Sequence, residues 1–82
     1  MIALCLSDLL VIQRDHPALA LVLRPNLSRQ SITIEKDSFD HEAISLTCPD
    51  ERAEALLAII RTRIPSYTLR AWRRVDSRWK RA

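Results

Sequence analysis

The chain has 82 residues, 48% apolar and 28% charged, with a net charge of +3, two cysteines and no glycine. A chain this short makes one domain, 1–82, whose core lies near the lower limit for independent stability; self-association or docking on a larger partner relieves that limit. Average usage would supply roughly six glycines, and without any the phosphate-cradling loops, dinucleotide fingerprints and nucleophile elbows of the common nucleotide-cofactor enzymes are excluded.

Ile2, Leu4 and Leu6 alternate with Ala3, Cys5 and Ser7, which predicts a short strand. Leu9 to Gln13 continues as a β-favouring run, with a short helix as the alternative. Asp15-His16-Pro17 marks a turn, after which Ala18 to Arg24 reads as a strand with Leu19, Leu21 and Leu23 on one face. Ala20 and Val22 make its other face apolar too, so it is placed centrally and covered on both sides. Beyond Arg24-Pro25-Asn26, Gln30 to Lys36 sets Ile32 and Ile34 against Ser31, Thr33 and Glu35, the pattern of a strand buried on one face. Asp37 to Asp40 is a turn around Phe39. In Glu42 to Cys48, Ile44, Leu46 and Cys48 face one way and Ala43, Ser45 and Thr47 the other.

Pro49 to Ile64 is predicted as a helix. Pro49 suits the first turn, Asp50 and Glu51 complement the positive end of the dipole, Arg61 and Arg63 the negative end, and Pro65 stops it. Ala53, Leu56, Leu57, Ile60 and Ile64 form one stripe at helical spacing. From Tyr67 onward a strand puts Tyr67, Leu69 and Ala71 on one face and Thr68, Arg70, Trp72 and Arg74 on the other. A helix capped by Ser66 would instead align Leu69, Trp72, Val75 and Trp79; the strand is preferred because Tyr, Thr and Trp favour pleated surfaces. Residues 77–82, with Trp79 their one large apolar side chain, are where composition permits a disordered basic tail.

The fold class expected is α+β: an antiparallel meander of about four short strands, one covering helix, then a basic C-terminal strand or helix. Four strands followed by a helix resembles the element order of the PUR-repeat and Whirly-type single-strand nucleic-acid binders, a resemblance in order alone.

Charge is divided along the chain. From Arg61 to Ala82 eight basic residues face one acid, +7; the first sixty residues hold five basic residues and nine acids, −4. A concentrated positive block attracts anions whatever the average charge. Arginine pairs with phosphate through a planar fork, and tryptophan offers a stacking platform to any base. Arg70, Trp72, Arg73, Arg74, Arg78, Trp79, Lys80 and Arg81 are therefore the candidate site. The function expected is non-catalytic, sequence-tolerant binding of single-stranded nucleic acid or RNA. The alternative is a regulatory or assembly subunit whose basic segment docks on an acidic protein surface, with head-to-tail self-association favoured by the charge division.

Cys48-Pro49 at a helix start resembles the Cys-Pro-x-Pro motif of sulfur-carrier proteins, but Glu51 stands at the second proline's place and, with Asp50, opposes a thiolate. A structural cysteine is expected there. Cys5, His16, His41 and Cys48 lack paired metal-ligand spacing, and both histidines read as turn residues, so neither metal nor cofactor is expected. Two cysteines are too few for a disulfide framework, and no apolar run reaches the length of a bilayer span or follows a basic leader, which points to the cytoplasm.

Overall fold

A computed structural model describes every residue except Asp37 and Tyr67, and Lys36 by its backbone alone. In chain order the elements are β1 (Ile2–Cys5), α1 (Leu6–Asp15), α2 (Pro17–Leu23), a 3-10 turn (Arg24–Asn26), β2 (Leu27–Lys36), β3 (Phe39–Leu46), α3 (Asp50–Arg63), β4 (Ala71–Val75) and β5 (Arg78–Arg81). The strands form one sheet in the order β2-β3-β1-β4-β5, every neighbouring pair antiparallel. β1 takes the centre because it is apolar on both faces, and all four of its residues are buried. The crossover from β1 to β2 straddles β3, and that from β3 to β4 straddles β1. This is the split βαβ, ferredoxin-like connectivity, extended by β5.

The fold class is α+β, but the order of elements differs from a meander. Two helices separate β1 from β2, so the run of four strands and the resemblance built on it do not hold. The segment expected as a central strand is α2. Leu19 and Leu23, one turn apart, are buried, whereas Leu21 and Val22 face outward. A short run apolar on every side carries no period to separate strand from helix; Ala and Leu are strong helix formers, and Pro17 occupies the first turn. The β-favouring run at Leu9 is likewise part of α1, which buries Leu9 and Ile12 and places Asp8 in its first turn and Arg14 in its last.

The remaining assignments stand closer to the sequence. β2 buries Ile34 and half-buries Ile32, leaving Ser31, Thr33 and Glu35 exposed. β3 begins earlier than expected, at Phe39. The turn expected over Asp37 to Asp40 falls partly outside the described residues, as does Tyr67. α3 buries the whole stripe Ala53, Leu56, Leu57, Ile60 and Ile64, with Pro49 as its N-cap. The basic segment is a hairpin of two strands, and residues 78–81 of the expected tail are β5. Its two-residue loop, Asp76-Ser77, has φ of 50° and 65°, the twin left-handed pair that a type I′ turn requires. A chain without glycine assigns that conformation to Asp and Ser.

The helices cover one face of the sheet, where Ile2, Leu4, Leu46, Leu69 and Ala71 meet the apolar sides of all three. The opposite face holds a second cluster, Ala3, Cys5, Ile34, Ala43 and Trp72, edged by Ile32 and Trp79. β2 and β4 are separated by two strands, and Ala43 of β3 with Ala3 and Cys5 of β1 link Ile34 to Trp72; residues of β2 and β5 line shared depressions, so the sheet coils its edges toward each other. A register shift in β2 between Leu27 and Ser31, where Ser28, Arg29 and Gln30 stand opposite the single Ser45 of β3, sharpens that bend.

Candidate nucleic-acid interface

Alternation fixes where each side chain of the basic hairpin goes. Ala71 packs toward the helices, so Arg73 shares that side, and Lys80 and Arg78 follow by register with Arg73 and Val75. Trp72 and Arg74 point to the second face, joined there by their register partners Arg81 and Trp79.

Three of the eight candidate residues are committed to the scaffold. Trp72 is 0% exposed. His41 lies against its ring at 5.3 Å between centroids, and the Arg81 guanidinium stands 5.5 Å from its centroid. Its indole Nε1–H is buried with no hydrogen-bond partner among the described residues. The expected stacking of a base on Trp72 is thereby corrected: its faces are already occupied. Arg70 clasps the buried carboxylate of Asp8. Its backbone N–H and Nε donate to Oδ2 at 2.8 and 3.1 Å, and Nη2 donates to Oδ1 at 3.2 Å. A further bond reaches the Ser7 hydroxyl at 3.1 Å. Arg73 pairs with Glu54 of α3.

Arg74, Arg78, Lys80 and Arg81 are exposed, and among the described residues none of them forms an ion pair with a carboxylate. Trp79 is half-buried, with the Arg74 guanidinium 5.7 Å from its ring centroid, an arrangement that keeps both groups at the surface. Arg61, outside the candidate set, anchors the hairpin by donating to the carbonyls of Leu69 and Ala82 at 3.2 and 2.8 Å.

Because the sheet coils, Trp79 faces β2 across a cleft. One depression of about 480 Å³ has Arg74 and Trp79 on one wall and Ser28, Gln30, Thr33 and Ser45 among the residues opposite. A second, of about 500 Å³, continues past Trp79 between Arg78 and Ser77 on one side and Thr33 and Glu35 on the other. Trp79 and Thr33 line both, so the cleft runs along the tryptophan with a cation at each end. Among the described residues, Glu35 is the one acid in it.

The polar wall from β2 and β3 and the packing of His41 on Trp72 were not foreseen. Alternation along β3 places Ala43 and His41 on one face, which was legible; the coil that brings β2 to the hairpin was not. His41, read as a turn residue, is a strand residue. The two cysteines pack on opposite faces of the sheet, Cys5 in the second cluster and Cys48 against the helical core. Comparison with protein-family models, with curated proteins and with solved structures finds no match.

Proposed function

We propose that the protein is a non-catalytic binder of single-stranded nucleic acid, holding the strand along the cleft between β2 and the β4–β5 hairpin. One observation carries the reading: the half-buried Trp79 lies in a groove with Arg74 at one end and Arg78 at the other, neither in an ion pair among the described residues, and the far wall is rich in hydroxyl and amide groups. Arg74 and Arg78 neutralise phosphates in the cleft, Lys80 and Arg81 add to the positive field beside it, and Trp79 is the stacking platform. Arg70, Trp72 and Arg73 hold the hairpin in place. Sequence tolerance follows from contacts made to phosphates and to the flat faces of bases. Two unpaired cysteines on opposite faces of the sheet support a reducing, cytoplasmic setting. No helix among the described residues is long and apolar enough to cross a membrane.

A second reading rests on β5 being an edge strand. An acidic protein segment could add to that edge by main-chain hydrogen bonds, with its carboxylates on the same cations. Fluorescence anisotropy with a labelled single-stranded oligonucleotide of random sequence separates the two. The nucleic-acid reading expects saturable binding that is lost when Arg74, Arg78, Lys80 and Arg81 are all changed to Gln. An oligonucleotide that fails to bind, while an acidic peptide binds and depends on those four residues, would replace it with the protein-partner reading.

A further inference from the structure

On the helical side, remote from the hairpin, a cavity of about 500 Å³ opens between α1 and α2. Ten of its twelve lining residues are apolar, and the two polar ones are Gln13 and Arg24. It reaches from core to surface. Leu9, Ile12 and Leu23, all buried members of the core, contribute to its lining, while Leu10 and Leu21 on the same lining are 56% and 65% exposed. The volume falls within the about 300–1,000 Å³ of small-molecule sites. One turn of an α-helix with its side chains, about 11 Å across and 5.4 Å high, would fill it entirely. It therefore suits a thin, flexible chain better than a folded partner element.

The charge at the rim selects the head of that chain. Arg24 is exposed and has no ion-pair partner among the described residues, whereas Arg14 nearby in sequence is paired with Asp15. Asp8, the acid of α1's first turn, is buried and held by Arg70. The site thus offers one available guanidinium, a side-chain amide and an apolar sleeve. We propose that this cavity binds a single-chain amphiphile of the fatty-acid class. Its alkyl chain lies over the floor formed by Leu9, Ile12 and Leu23, between Leu10 and Leu21, and its carboxylate sits on the planar fork of Arg24, assisted by the Gln13 amide. Filling the cavity would also cover the outward-facing Leu10 and Leu21.

Calorimetric titration of the full chain with octanoate, decanoate and decan-1-ol tests this. The proposal expects saturable one-to-one binding of decanoate, about fifteenfold tighter than octanoate because each buried methylene contributes about fourfold. Decan-1-ol should bind at least about tenfold more weakly than decanoate. Arg24→Gln should erase the preference for the acid over the alcohol. Ala20→Phe should fill the cavity and abolish binding; Leu21→Glu, at an exposed rim position that folding tolerates, should repel the carboxylate. Absence of saturable heat, affinity independent of chain length, or an acid preference that survives Arg24→Gln would overturn the proposal. Two other results would do so as well: a dimer abolished by Leu21→Glu and indifferent to decanoate, which assigns the cavity to a second copy, or binding to phosphatidylcholine vesicles without binding to decanoate, which assigns the leucine rim to a membrane surface.

Discussion

Asp8 and Arg70 are sixty-two positions apart and decide how the basic hairpin joins the rest of the molecule. Asp8 is 3% exposed, while Arg70 keeps about a third of its side chain in solvent. The two are therefore not equivalent under mutation. Arg70→Ala strands a buried carboxylate and should cost about 3–5 kcal/mol. Asp8→Ala leaves an arginine that water can reach, and should cost about 2 kcal/mol through the charge-assisted bonds it deletes. Denaturant titration checks the order of the two. A loss under about 1 kcal/mol for Arg70→Ala, together with weaker oligonucleotide binding, would move Arg70 from scaffold to binding surface. Trp72 and Trp79 divide in the same way. A quencher such as iodide should reach Trp79 and spare Trp72, so Trp79→Phe should leave an emission that iodide barely affects. Sequence placed both indoles in one basic block but held nothing to separate them, because Trp72 is buried in a cluster that draws Ala3 and Cys5 from β1, Ala43 from β3 and Ile34 from β2, three positions away in the sheet.

At the scale of elements, α3 was legible because several signals agreed: a proline and two acids at its start, a stripe at helical spacing, and a stop at Pro65. Leu57→Ala should cost about 2–5 kcal/mol, against a total of about 4–12 kcal/mol for a chain of this length. A loss under about 0.5 kcal/mol in a denaturant titration would remove Leu57 from the core. β2 and β3 were legible by alternation, and their inward residues follow it. α1 and α2 were not, since Ala18 to Leu23 has no polar residue to reveal which side faces water. Leu21 and Val22 are apolar yet exposed, and no pattern in the sequence marks them as such. The β4–β5 turn offers a further test. Asp76 and Ser77 both hold left-handed φ, which glycine adopts at no steric cost. Ser77→Gly should therefore raise stability by about 0.5–1 kcal/mol, seen as a higher thermal midpoint. A lower midpoint would contradict the turn geometry.

For the whole molecule, two edges of the sheet, β2 and β5, remain open beside a small core, and we propose that self-association through one of them relieves both. Sedimentation should show mass above the monomer at high micromolar concentration in moderate salt; a monomer there would count against it. The division of charge that opens at Arg61 is sharpened by folding. Arg70 and Arg73 are consumed by Asp8 and Glu54, and Arg61 by the carbonyls of Leu69 and Ala82; the hairpin keeps Arg74, Arg78, Lys80 and Arg81 exposed, with Arg74 and Arg78 lining the cleft beside Trp79. That makes the binding reading quantitative. Two phosphate contacts in the cleft, from Arg74 and Arg78, at about −0.7 each give an expected log–log salt slope of about −1.4 for a single strand.

The most direct measurement is tryptophan fluorescence during titration with a single-stranded oligonucleotide across a series of salt concentrations, on the parent chain, Trp79→Phe and Arg74→Gln. The account predicts quenching in the parent with the slope just given. Quenching should disappear in Trp79→Phe while its slope, read from the anisotropy of a labelled oligonucleotide, holds, and the slope should become shallower by about 0.7 in Arg74→Gln. No binding tighter than about 100 µM at physiological salt, or undiminished quenching when Trp79 is replaced, would contradict it.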